Sequence, residues 1–242
     1  MMKMRWLCLA MALVFCALPV LTEAKQRAFF DKPVKNVEWK KGELTITCTY
    51  YRDFMVKEIG DGGKGSISLA IVKRSHAGLP ACRFKIEDER EVEDWSGYFA
   101  AAKGNYLFFS ADDGDPVGNA FAIVDGNTGK VLFYDDAQVG VRSIHSLKIK
   151  DDGIVLRYRR AFRTPCSLYA RNASCWEAVK QAAFMAPDTR QPNCDVVYAG
   201  AETDPRVRDD PSVIDYEVEV TLTAGKARFT GLPGKVECWA ED

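Results

Sequence analysis

The chain has 242 residues, 47% of them hydrophobic and 28% charged, with 33 Lys and Arg set against 34 Asp and Glu. That much apolar surface excludes a disordered polymer, and the balanced charge excludes nucleic-acid binding by bulk electrostatics. Only one apolar run approaches bilayer-spanning length, which excludes a polytopic membrane protein.

That run lies at the N-terminus. Lys3 and Arg5 open it, an uncharged stretch follows from Trp6 to Thr22, and Pro19 interrupts it. The small residues Thr22 and Ala24 stand two apart at its end, the layout of a secretory signal peptide. Residues 1–24 are therefore read as a leader cut after Ala24, and 25–242 as a single disulfide-braced β-rich domain. No stable membrane span is expected once the leader is gone. The expected location is the periplasm or the extracellular space.

Next along the chain come strands. In Glu43–Tyr51, Leu44, Ile46, Cys48 and Tyr50 alternate with Glu43 and three threonines. Ser66–Val72, Cys82–Glu87, Tyr106–Ser110, Ala120–Val124, Lys130–Tyr134, Ser143–Ile149 and Ile154–Phe162 read as further strands. In Ile214–Thr223 the apolar Ile214, Tyr216, Val218, Val220 and Leu222 alternate with Asp215, Glu217, Glu219, Thr221 and Thr223. Period-two alternation marks strands with one buried and one wet face. Glycine-bearing turns at Gly42, Gly62-Gly63, Gly104, Gly126–Gly129, Gly153 and Gly225 separate the runs. The fold class is all-β and mainly antiparallel, either β-propeller-like or a β-sandwich.

Within it, Lys103–Tyr134 resembles one blade of a β-propeller of the quinoprotein or YVTN kind. The resemblance rests on Gly-Asn-Tyr-Leu-Phe-Phe-Ser at 104–110 and Ala-Ile-Val-Asp-Gly-Asn-Thr-Gly-Lys-Val at 122–131. It covers about 30 residues and is not repeated elsewhere at an even spacing, so it implies neither a cofactor nor an active site.

One short helical insertion is expected near residues 173–186. Ser174 and Glu177 form a capping box, Trp176, Val179 and Ala183 recur at helical spacing, and Pro187 marks the stop. The stretches Pro187–Asp195 and Glu202–Pro211 read as exposed loops. Asn172-Ala-Ser174 is a glycosylation sequon, relevant only in a eukaryotic secretory route.

Six cysteines remain after the leader: Cys48, Cys82, Cys166, Cys175, Cys194 and Cys238. An even number in an exported chain reads as disulfides, with 15 pairings open. Cys48 with Cys82 is preferred because both lie in or beside strands of one N-terminal unit. The other four then tie the helical insertion to the C-terminus. No Cys-x-x-Cys occurs, and neither His76 nor His145 lies near the later cysteines, so zinc is not expected.

Residues capable of chemistry are sparse. Asp112, Asp113 and Asp115, with Asn119 behind them, offer oxygen ligands on a tight loop, but the spacing fails an EF-hand. Asp125, Asn127 and Asp136 form a second oxygen cluster, better explained as a hairpin turn. Both are read as solvated turns, with no metal and no cofactor. No Gly-x-Ser-x-Gly elbow and no P-loop occurs. His145 shares its alternation with Leu147 and Ile149 and is expected on a partly buried strand; His76 is expected in an exposed loop. Trp95, Tyr98 and Phe99 are candidates for lining a groove.

Charged strand faces are the more informative feature. Arg157 and Arg159 share one side of a strand, and Asp215, Glu217 and Glu219 share one side of another. If the strands are neighbours, these charges pair across the sheet. If they are apart, each is a one-sign patch for a partner. Together the five residues are the candidate partner-binding face. The sequence thus points to an exported, non-enzymatic binding protein, an inhibitor or immunity-type partner of another exported protein or of a cell-envelope ligand. The competing expectation is an exported hydrolase using carboxylates on a glycan or peptide, with Asp112, Asp113 or Asp115 at the site.

Overall fold

A computed structural model describes residues 29–111, 118–150, 152–202 and 205–239. The leader and the Asp112–Asp113–Asp115 knot lie outside the described residues. The five strands β1 (Lys35–Lys41), β2 (Leu44–Tyr50), β3 (Phe54–Gly60), β4 (Ser68–Lys73) and β5 (Arg90–Glu91) form a meander in that order. A second, nine-stranded sheet contains β6 (Tyr98–Lys103), β7 (Tyr106–Ser110), β8 (Asn119–Asp125), β9 (Val131–Ala137), β10 (Ile144–Lys150), β11 (Gly153–Arg163), β12 (Val213–Thr223), β13 (Lys226–Gly231) and β14 (Glu237–Trp239). Every pairing among them is antiparallel. The architecture is sandwich-like with open sheets, so the propeller alternative gives way. The blade-like segment is part of the meander β6–β9, which continues into the rest of a larger sheet.

The alternation seen in sequence becomes layering. Tyr51, Phe54, Val56, Leu69 and Ile71 of the first sheet meet Ala102, Leu107, Phe109 and Val124 of the second. On the first sheet's far side, Ile46, Cys48, Met55, Ile59 and Val72 are roofed by Leu79, Cys82, Phe84 and Ile86. That roof is the segment Cys82–Glu87, expected as a strand but folded as a loop. Its alternate residues point down onto the sheet, which mimics strand periodicity, while β5 takes the edge position on β4. The Cys48–Cys82 disulfide pins the roof down. Beneath it, the fully buried Lys57 donates to the Phe84 carbonyl (2.9 Å) and pairs with Glu89.

β11 and β12 form the spine of the second sheet, in unbroken register from Gly153 opposite Thr223 to Arg163 opposite Val213. Each shares its outer edge between two shorter strands: β10 and β9 beside β11, β13 and β14 beside β12. β9 touches β11 at the one register pair Ala137–Arg160. Inside this sheet Phe108, Phe121, Ile123, Tyr158, Val218 and Val220 pack against Leu168, Trp176, Val179, Ala183 and Tyr198.

The helix α1 spans Ala173–Ala182, shorter than the expected 173–186. Its N-cap is Asn172, whose side chain accepts from the Cys175 backbone N–H (3.2 Å), and Ser174 donates its hydroxyl to the same oxygen (2.9 Å). The N-cap therefore lies two residues before Ser174, and the expected capping box gives way: asparagine is an equally good cap and stands first. Trp176, Val179 and Ala183 are buried as the spacing required. Beyond it, Pro187–Asp195 runs without helix or strand up to Asp195, as expected, and a 3-10 stretch follows at Asp195–Glu202. The second expected loop, Glu202–Pro211, winds into a 3-10 turn at Pro205–Asp209. Cys166–Cys175 closes the entry to the helix, and Cys194–Cys238 ties the insertion to β14. All six cysteines are therefore disulfide-bonded, an arrangement that fits an oxidising compartment. Among the described residues, no helix is long and apolar enough to cross a membrane.

Candidate functional site

The five-stranded sheet covers only part of one face of the larger sheet. Phe109, Ala122 and Tyr134 stand opposite one another on successive strands and so share that face. Phe109 is buried under the first sheet, whereas Tyr134 is 73% exposed. On β11 and β12 the uncovered face carries Arg157, Arg159, Asp215, Glu217 and Glu219.

The two strands are neighbours, so the charges pair. Arg157 Nε donates to Glu219 Oε2 at 2.8 Å from the directly opposite register position. Arg159 reaches diagonally to Asp215 with two hydrogen bonds (2.9 and 2.7 Å) and gives a third to Glu237 (3.0 Å). Lys235 closes the row on Glu237. The Asp215 contact, against the cost of burial, raises the Arg159 guanidinium above its ordinary range. The ammonium of Lys235, with Arg159 behind it, lowers Glu237. Asp215 is only 1% exposed, so it anchors the row from below instead of presenting itself to solvent. The outcome is a mixed-sign ladder, not two patches of single sign. Exposed cross-strand pairs of this kind contribute at most about 1 kcal/mol each, so their main effect is to fix side-chain positions.

His145 joins the same face, its Nε2 3.3 Å from Glu217 Oε2. It is exposed and not partly buried, because a bulge between Ile144 and Ser146 breaks the alternation that tied it to Leu147. His76 lies in an exposed turn, as expected.

A second charged group is enclosed. Arg160 Nε and Nη2 fork onto the Asp135 carboxylate (2.8–3.1 Å), Arg160 Nη1 donates to the Tyr216 hydroxyl (3.2 Å), and Tyr158 donates to Asp135. Tyr216 in turn donates to the Ala183 carbonyl (2.9 Å). Phe229 and Phe162 flank the guanidinium. Burial raises the Asp135 carboxyl, with Arg160 opposing, and it also raises the Tyr158 hydroxyl, with the Asp135 charge adding to the rise. Glu58, facing the second sheet, is also raised by burial; it accepts from Ser66 Oγ (2.6 Å) and the Phe99 N–H (3.4 Å).

Among the described residues, cavities of about 660–670 Å³ open on the surface at several places. The aromatic trio proposed as a groove lining is divided among different places. Trp95 lines one cavity and Phe99 another, while the Tyr98 hydroxyl accepts from Gly65 N (2.8 Å) and donates to the Gly63 carbonyl (3.2 Å). The cavity holding Phe99 is an inter-sheet cleft, and Tyr51, Thr49, Asn36 and Phe30 complete its walls. Tyr51 had no sequence signal beyond its adjacency to β2.

Among the described residues, no cluster of His, Cys, Asp and Glu is arranged to hold a metal ion. Asp125 behaves as the turn residue expected of it, accepting from the Asn127 N–H (2.7 Å) and the Asn105 side chain (2.5 Å). No protein-family profile, curated protein or solved structure matches this chain.

Proposed function

We propose that the protein is exported and works as a non-enzymatic binding protein, docking another exported protein on the uncovered face of β11 and β12. The observation that carries this reading is the ladder of Arg157, Glu219, Arg159, Glu217 and Glu237, which is held in place by its own internal pairs. Charges fixed before encounter give a complementary partner register and orientation without further ordering cost. The disulfides support export, and residues 1–24 supply the address. A partner of the inhibitor or immunity type, itself secreted, fits this setting.

The test is affinity capture from the exported fraction with the full chain and with the double variant Arg157→Glu/Glu219→Arg. The exchange keeps the internal ion pair and reverses the displayed pattern. Stoichiometric capture by the wild type, lost in an equally stable swap variant, is the expected result. Equal capture by both, or none by the wild type, overturns the proposal.

A further inference from the structure

A different part of the molecule, independent of the charge ladder, offers a site for a small molecule. The inter-sheet cleft has a volume of about 670 Å³, within the range of ligand pockets. One wall comes from the first sheet, where Asn36 and Thr49 stand directly opposite each other on β1 and β2 and Tyr51 follows at the end of β2. Tyr51 is 6% exposed. Its ring stacks on Phe54 (centroids 4.7 Å apart) and meets Phe99 edge-on (6.2 Å). Yet its hydroxyl makes no hydrogen bond with any described residue. Burial, followed by the nearby Asp31, pushes the Tyr51 hydroxyl up to about 12, so it is a neutral donor and acceptor at physiological pH. Asn36 and Thr49 side chains likewise have no hydrogen-bond partner among the described residues. Phe99 and Phe30 also line the cleft, Phe30 with its ring edge-on against Phe108 (5.1 Å).

The wall carries little uncompensated charge. Asp31 is held by Lys103 Nζ (3.1 Å) and the Gly104 N–H (2.6 Å), and Arg142 already has a partner. Lys32 is exposed at the mouth. Tyr51 lines the cleft and its hydroxyl is not sealed from solvent, so on a rigidly packed ring it is open to a hydrogen bond from a molecule that enters. Neutral hydroxyl and amide groups together with aromatic rings match a molecule with a rim of hydroxyls and an apolar ring face. We infer that the cleft between the sheets is a binding site for a short neutral glycan, hydrogen-bonded by Tyr51, Thr49 and Asn36 and seated on Phe99 and Phe30.

Saturation-transfer NMR on the full disulfide-bonded chain tests this with chitotriose, cellotriose and maltotriose as probes. Transfer to the ring protons of at least one trisaccharide is expected. Tyr51→Phe keeps the ring packing and removes only the uncommitted hydroxyl, so its melting temperature stays at the wild-type value. Its affinity for that trisaccharide falls about tenfold, the equivalent of one good hydrogen bond. The exposed Asn36→Ala gives a smaller loss in the same direction. Absence of transfer from all three probes overturns the inference, as does equal binding by wild type and Tyr51→Phe. Neither result bears on capture of a protein partner by the charge ladder.

Discussion

Arg160 and Asp135 meet through a forked contact beside the one register pair, Ala137 with Arg160, at which β9 touches β11. The fork closes the wedge between the strands with charge in place of hydrocarbon. Such a pair contributes little net stability relative to apolar residues of the same volume, but breaking it leaves a buried charge alone. Asp135→Ala is therefore expected to destabilise the protein by about 3–5 kcal/mol in urea unfolding. Asp135→Leu combined with Arg160→Met recovers much of that loss. If the single variant unfolds at the wild-type midpoint, the fork carries no such role.

Glu58 gives the protein a pH dependence with a definite sign. Burial raises its carboxyl in the folded state, so between its ordinary pKa and the raised one the native protein binds more protons than the unfolded chain. The contribution of this group to stability therefore falls as pH rises through that window. Glu58→Gln retains both hydrogen bonds, with its oxygen on the Phe99 N–H and its amide on Ser66. The variant should be more stable than wild type at neutral pH, and the difference should close as pH falls toward 4. Urea midpoints of the two proteins across this range check it, and a constant difference refutes it.

The roof over the first sheet has two tethers, the Cys48–Cys82 bond and Lys57. Replacing both cysteines by alanine should cost on the order of 4 kcal/mol, by the loop-closure entropy of the span the bond encloses. Proteolysis between Leu79 and Glu89 should increase with it. Peptide mapping without reduction should return Cys48–Cys82, Cys166–Cys175 and Cys194–Cys238 as the linked pairs. Any other pairing contradicts the structure.

Gly153 begins β11 against β12, where a Cβ would stand 2.1 Å from the Leu222 carbonyl oxygen. Backbone cannot yield there as a flexible side chain would. Gly153→Ala should lower stability by about 1–3 kcal/mol, the usual cost of overpacking. A thermal melt indistinguishable from wild type counts against so close an approach.

Much of this architecture was legible where a strand has one wet face. β12 displays its alternation openly, and the Gly42, Gly104 and Gly225 turns fall between paired strands as expected. β3 was missed because Phe54, Met55, Val56 and Lys57 are buried in succession, which erases the period. Arg160 and Asp135 carried a faint signal: each shares parity with buried neighbours, Tyr158 and Phe133. A charge in the apolar register of a strand indicates an enclosed network. Of the cleft, only Phe99 carried a signal, as one of three aromatics expected to line a groove. The walls of the cleft come from five separated stretches of chain that only the packing of two sheets brings together.

The long ladder between β11 and β12 also dictates how the molecule must be assembled. The chain leaves the spine at Arg163 and returns at Val213 only after building α1 and the 3-10 turns. The most extensive pairing in the protein therefore joins strands far apart in sequence and closes a wide loop, which slows folding. The bonds at Cys166–Cys175 and Cys194–Cys238 lie inside or across that excursion, so oxidation and refolding are kinetically linked. Renaturation from the reduced chain should be slow, and an isomerase of disulfides should speed it.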